Sequence, residues 1–267
     1  MRGTAPPVGE ILRGWRQRRR LSQLELSVDT GISTRHLSFV ETGRARPSPE
    51  LLLRLAEHLD VPLADRNRML LAGGYAPAYP EHELGDPQMA SIRDAVRQIL
   101  RAYGPNPAVL VDRHWHLVEA NPAVGLFTAG AADRLLTPPV NVLRLSLDPE
   151  GMAPRIVNLP EWRAHLLDRL RRQVAATGDP RLQELYDDLR RLPGDDGPVP
   201  VESSGGMADL LVPLRYRHGD RELRLLSTTT VFGTPLDVTV AGLAIEGFFP
   251  ADPGTADLLR AFADGVQ

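Results

Sequence analysis

Apolar positions recur with a helical period over the first seventy residues and switch to a mixture of periods beyond residue 107. Val8, Ile11, Leu12 and Trp15 fall on one stripe, which predicts a helix over residues 8–20. Its last turn, Arg18-Arg19-Arg20, suits the negative end of a helix. Ser22 with Glu25 three residues on makes a capping box. It starts a second helix over residues 23–30, with Leu24 and Val28 facing inward. Gly31 stands where a left-handed residue ends a helix. Ile32 is expected to be buried by the turn, and Ser33 caps a third helix over residues 34–42 with Leu37 and Val40 inward. Pro47-Ser48-Pro49 opens a fourth helix over residues 50–59, burying Leu52, Leu55, Ala56 and Leu59. A fifth, over residues 64–72, follows Pro62.

Pro77, Pro80, Gly85 and Pro87 mark residues 77–88 as an extended linker between a first domain, 1–76, and a second, 89–267. Residues 89–103 predict a helix with Ile92, Val96, Ile99 and Leu100 on one stripe. It is either a connector or dimer contact, or the first core helix of the second domain. Two strands, 108–112 and 115–120, flank a turn, and Asn121-Pro122 starts a helix to about residue 129. No element is assigned over residues 130–158. Helices are predicted over 160–176, with Trp162, Leu166, Leu170 and Val174 aligned, and over 180–192. Residues 193–206 have loop composition. Three alternating strands follow, 208–217, 221–231 and 237–249, then a closing helix over 253–263. The sum is an α+β layer: a five-stranded antiparallel sheet with helices on one face.

Composition changes this picture only by exclusion. Apolar residues make 42% and charged residues 24%, the usage of an ordinary globular chain. With no Cys, disulfides, thiolate metal sites and a Cys nucleophile are excluded. No apolar run approaches membrane-span length and the N-terminus has no signal-peptide core, so the expected place is the cytoplasm and no membrane partner is expected. The net charge of −3 is unevenly spread. Residues 1–80 hold 12 Arg against 8 acids, and the remainder 19 Arg against 26 acids. A basic first domain on an acidic remainder predicts that only the first meets a polyanion. Every basic residue is Arg, so each can grip a phosphate bidentately.

Two short helices joined through Gly31 and Ile32 are a helix-turn-helix pattern. The run LSQLELSVDTGISTRHLSFVETGRARPSPELLLRLAEHLDVP resembles the Xre-type, phage-repressor-like DNA-binding domain. That resemblance implies an all-α five-helix fold whose third helix enters the major groove of double-stranded DNA. On that helix Thr34, Arg35 and Ser38 face outward, with Ser33 at the cap beside them. Arg35 suits the N7 and O6 of a guanine, and the hydroxyls suit either base type. Phe39 either touches a thymine methyl or finishes the core. Gln23 matches the family's phosphate clamp at a helix N-terminus. Arg44 and Arg46, in the following loop, are expected on phosphates. Arg16 and Glu41 match an internal ion pair of the family.

In the second half, NPAVLVDRHWHLVEANPAV and LLSTTTVFGTPLDVTVAGLAIEGFFPAD resemble the MmyB-type regulators, whose C-terminal half is a PAS-like ligand-binding domain. The resemblance implies a small, mostly apolar effector, fatty-acyl molecules included. A PAS-like sheet leaves room between its concave face and the helices. Phe127, Trp162, Leu166, Leu226, Phe232 and Phe248 are the candidate lining, and Arg155, Arg163 and Arg224 are candidates to hold a carboxylate.

Enzymatic and metal chemistry find no support in the pattern. Asp112, His114 and His116 alternate but straddle a predicted turn, with no further ligand placed nearby. Asp195-Asp196 sits in a loop, Ser227-Thr-Thr-Thr230 is strand material, and neither a nucleophile elbow nor a phosphate-binding glycine motif is present. The expectation is a non-enzymatic, homodimeric one-component transcription regulator, a repressor by preference, sensing a small molecule. The rival is an antitoxin-like DNA-binding protein whose second domain holds a protein partner and no effector.

Overall fold

Residues 8–72 form the five expected helices: α1 (Val8–Arg18), α2 (Gln23–Thr30), α3 (Thr34–Glu41), α4 (Pro49–His58) and α5 (Leu63–Ala72). These come from a computed structural model that describes residues 6–194 and 212–265. The local signals work as their chemistry demands. Ser22 and Glu25 close a capping box, Ser33 Oγ accepts from the His36 amide, and Ser48 Oγ accepts from the Leu51 amide. Gly31 takes φ 68°, where a Cβ is strained. Gly9 is needed for a different reason: a Cβ there would run into the Val40 and Glu41 carbonyls, so α1 lies directly on the end of α3. Leu12, Trp15, Leu37, Val40, Leu52 and Leu55 are among the core side chains.

One expectation for this unit is overturned. Leu24 and Val28 are 63% and 71% exposed, and α2 buries Leu26, Ser27 and Thr30 instead. The helix is only eight residues long and lies with its Leu26 edge against the core, so two apolar residues were left on the outer stripe. The Ser27 and Thr30 hydroxyls are buried at little cost because they donate to the Gln23 and Leu26 carbonyls.

The chain divides into two units. The first runs to His82 and takes in residues 175–177 and 234–241; the second holds the rest. Residues 78 and 79 are fastened to α5, since their amides donate to the buried Asn67 Oδ1 and Asn67 Nδ2 donates to the Tyr79 carbonyl.

In the second unit, α6 (Ala90–Tyr103) precedes the hairpin β1 (Ala108–Val111) and β2 (Leu117–Ala120). The helix expected after Asn121-Pro122 is the short α7 (Gly125–Thr128), and α8 (Asp133–Leu136) and α9 (Val142–Leu147) lie in the stretch 130–158, for which no element is expected from sequence. The long helices α10 (Leu159–Thr177) and α11 (Pro180–Arg191) come next, then β3 (Leu214–His218) and β4 (Arg221–Val231). After α12 (Val238–Ala241), which belongs to the first unit, come β5 (Ala244–Pro250) and α13 (Pro253–Gly265) of the second. The five strands are antiparallel throughout, in the order β2-β1-β5-β4-β3.

The sheet is covered on both faces, not one. In β1, Val109 and Val111 join the large core with α10 and α11, whereas Ala108 and Leu110 pack with Val96 and Leu100 of α6. Thus α6 is a core helix, and all four β1 residues are buried. The strand expected over 237–249 is also corrected. Asp237 Oδ1 accepts from the Thr239 and Val240 amides, which turns 238–241 into α12, and the strand begins only at Ala244. A carboxylate positioned this way competes with strand pairing for the backbone donors. The predicted loop from residue 195 on, Asp195-Asp196 and the start of the third-last strand fall outside the described residues.

Candidate functional site

The first candidate site is the outer face of α3. Leu37 and Val40 are fully buried, which fixes the helix rotation and turns Arg35 outward with Thr34 and Ser38 half-exposed beside it. Ser33 spends its hydroxyl on the cap. The Phe39 ring is half-buried and lies outside the core cluster; the Arg35 guanidinium sits over it at 5.3 Å. Stacking of this kind holds the arginine along the helix face with its donors outward. After α3, the Arg44 and Ala45 amides donate to the Phe39 carbonyl and close the loop. Arg44 is exposed. Arg46 is tied back to α5: Nη2 donates to the Gly73 carbonyl at 3.0 Å, and the group lies over Tyr75.

Behind this face is a buried network. Arg16 donates twice to Glu41, at 2.7 and 2.8 Å, and once to the Leu21 carbonyl. Gln23 Nε2 donates to the same carboxylate at 2.8 Å. Burial works to raise the Glu41 carboxyl, but the bonds from Arg16 and Gln23 and the charges of Arg16 and Arg13 outweigh it and hold the group below the usual carboxylate range. The network ties α1, the first turn of α2 and the end of α3 together, so Gln23 and α3 are positioned by one ion pair.

The second candidate site is a cavity between the sheet and its helical layer in the second unit, holding about 70 Å³ of free space. Its wall is almost wholly apolar. Of the six expected lining residues, Phe127, Trp162, Leu166 and Phe248 are there. Phe127 and Phe248 meet edge to face at 5.0 Å, and Trp162 Nε1 donates to Ser146 Oγ.

Leu226 and Phe232 are not. Along β4, Leu223, Leu225 and Ser227 face the core side, so Leu226 faces away and pairs with Phe249 on the side of Tyr103. Phe232 packs with α6, β1 and the start of β5. Strand alternation puts neighbours on opposite faces, which accounts for Leu226; Phe232 stands just beyond the end of β4, in the turn. Nor do the three candidate cations reach the cavity. Arg155 donates to the Phe127 carbonyl from over Tyr216, Arg163 donates to the Leu189 and Arg190 carbonyls, and Arg224 pairs with Glu222 at the surface.

Residues 8–69 match the family model of a helix-turn-helix domain. Residues 92–262, well over half of the chain, match that of the MmyB-like transcription regulator ligand binding domain. The chain belongs to this family of regulators. It is also similar to the uncharacterized HTH-type transcriptional regulator RghRB of Bacillus subtilis, with 37% identity over 76 residues, 28% of this chain and 52% of that protein. It spans about half the length of that curated relative. The regulator is therefore a helix-turn-helix transcription factor with a ligand-binding domain. Among its described residues no helix is long and apolar enough to cross a membrane.

Several residues of the regulator's cavity were missed from sequence. Trp115, Val142, Leu143, Leu145 and Met152 line it, and so do Arg169 and Glu246. Trp115 sits in the hairpin turn at φ 69°, a conformation no propensity announces for a tryptophan. A signal did exist for the charged pair. Arg169 continues the α10 stripe of Trp162 and Leu166, and Glu246 interrupts an apolar strand, where a charge requires a partner. The turn also brings ligand atoms of Asp112, His114 and His116 within 4.8 Å of one another. Their bonds are internal to the fold: Asp112 accepts from the His114 and His116 amides and meets the His116 ring, while His114 meets Asp179.

Proposed function

We propose that this regulator is a one-component repressor, cytoplasmic and not enzymatic, which binds its operator as a homodimer. Thr34, Arg35 and Ser38 read base edges. Gln23, Arg44 and Arg46 meet phosphates and set the register. The second domain is PAS-like and takes a small, mostly apolar, fatty-acyl type effector into the cavity lined by Phe127, Trp162, Leu166 and Phe248. The observation that carries this reading is the α3 face, where Arg35 is exposed, stacked and free of any carboxylate partner among the described residues.

One eight-residue recognition helix contacts few base pairs. Two of them about 34 Å apart on a pseudo-palindrome multiply specificity, which favours the dimer. Effector binding shifts the fit to the two half-sites, and a coupling of about 1–3 kcal/mol gives a switch of roughly 5- to 150-fold.

A second reading rests on the small cavity. About 70 Å³ is less than half of an engineered cavity of about 150 Å³ that admits benzene. A nearly filled core fits a domain that binds a protein partner, antitoxin-like. Native mass spectrometry of the gently purified protein, with selection of duplexes from a random pool, tests both. The expected result is a dimer carrying a small molecule and selecting a two-fold symmetric site. A stoichiometric protein partner with no small molecule would favour the second reading. A monomer selecting no symmetric site would refute the dimeric repressor.

A further inference from the structure

The turn between β1 and β2 carries Asp112, His114 and His116 in alternation, and one ligand atom of each lies within 4.8 Å of the others. The backbone around them is fixed on several sides. The Asp112 amide donates to the His116 carbonyl, the Val142 amide to the Trp115 carbonyl, and Asn141 Nδ2 to the His114 carbonyl. Trp115, between the two histidines, is buried, and its Nε1 donates to Gln173 Oε1. Asp112 is aimed by three contacts: Oδ1 accepts from the His114 and His116 amides at 2.8 and 2.9 Å, and Oδ2 lies 3.0 Å from His116 Nδ1. His114 is 8% exposed, and its Nε2 lies 2.9 Å from Asp179 Oδ2. Asp179 is held in turn at the cap of α11, where Oδ1 accepts from the Arg181 amide. Asp112 closes the turn through the two amides, which requires neither imidazole. A histidine that gives one ring N–H to a carboxylate presents a lone pair on its other nitrogen. Metal-bound histidines are generally backed by a carboxylate in this way, and Asp179 stands in that place behind His114.

We propose that Asp112, His114 and His116 form a binding site for a divalent transition metal of the zinc class, with Asp179 as the supporting carboxylate. Metal–ligand distances of about 2.1 Å hold adjacent ligand atoms about 3.0–3.4 Å apart. The Asp112–His116 pair already has that spacing, and rotation of the side chains brings the third donor in. Two imidazoles and one carboxylate suit zinc and its neighbours, whereas magnesium and calcium take oxygen donors. The two histidines line a cleft of about 280 Å³, which gives the ion a way in. Three protein ligands leave one position for water or for a small ligand entering from that cleft. Of the three arginines on its wall, Arg134 is paired with Asp148 and Glu150, and Arg144 with Asp188, so their charge is met within the fold. Through Asp179 the ion fastens the hairpin turn to the start of α11. The site is distinct from the apolar cavity and stands whether or not that cavity takes an effector.

The test takes tag-free, full-length protein, strips it with a chelator, and titrates it with zinc chloride against a chelating dye, with magnesium chloride alongside. Zinc should bind at one equivalent per chain, and magnesium should not compete. His116→Ala, at a half-exposed position, should keep the metal-free melting profile and weaken zinc by about tenfold or more. Asp179→Asn should weaken it by about 10–100-fold. Asn caps a helix as well as Asp does, so a capping role alone would leave zinc binding unmoved. His218→Gln, on the strand β3 at the other edge of the sheet, should bind zinc as the wild type does. Absence of zinc binding by the wild type, or wild-type affinity in His116→Ala, overturns the site. An equal loss in His218→Gln places the ion elsewhere and overturns it as well. Wild-type affinity in Asp179→Asn overturns the supporting role of Asp179.

Discussion

The two units of this regulator place their candidate site residues differently, one on its outer surface and one inside its core. In the first, Leu37 and Val40 are buried so that Arg35 and its neighbours face out. In the second, Phe127, Trp162, Leu166 and Phe248 face inward and the site is the space they leave. An outward site is fixed once one helix is rotated. An inward site depends on the phase of every strand and helix around it. The same difference governs how each site fails: the first by losing a contact, the second by being filled or collapsed.

The largest effects separate the units. Leu37→Ala, at a fully buried position, should cost about 2–5 kcal/mol and abolish DNA binding, while the melting of the second domain stays in place. Leu225→Ala should cost the second domain a similar about 2–5 kcal/mol, and Leu226→Ala distinctly less, because Leu225 is fully buried and its neighbour half-exposed. Calorimetry of the two variants reads the strand phase directly; equal losses would reverse it.

Next comes Arg35→Ala, expected to cost about 1–3 kcal/mol on the operator and to relax preference at one base pair. An equal loss on random duplexes would make Arg35 a phosphate contact.

Acid should resolve the units in order. The His165 imidazole, stacked on Trp162, is depressed by burial and then by the nearby charges of Arg169 and Arg172. A depressed group contributes stability that is lost as pH falls, so the second domain weakens from about pH 6.5 downward. The depressed Glu41 contributes stability present above the usual carboxylate value and lost below about pH 4.3. Thermal melts from pH 7.5 to 4 should therefore move the second transition first, and His165→Gln should flatten that early slope. The smallest effects belong to Leu24→Ala and Val28→Ala, each within about 0.5 kcal/mol because both side chains are exposed. A loss above 1 kcal/mol would mean that α2 is covered in solution.

The sequence by itself determined the five helices of the first domain, with their ends within about two residues. The capping box of Ser22 and Glu25, the caps Ser33 and Ser48, Gly31 and an apolar stripe are local signals, and a helix-turn-helix is built from local contacts. It also determined the antiparallel strands and the stripe Trp162-Leu166-Leu170 of α10. Tertiary structure decided what locality cannot reach. It turned Leu24 and Val28 outward, because an eight-residue helix presents whichever edge its neighbours cover. It set the phase of β4, made 238–241 a helix through the Asp237 carboxylate, and covered the second face of the sheet with α6. It also joined Arg169 to Glu246 across 77 residues. A cavity wall is assembled from segments far apart in the chain, and their common side is fixed only when sheet register and helix packing are satisfied together.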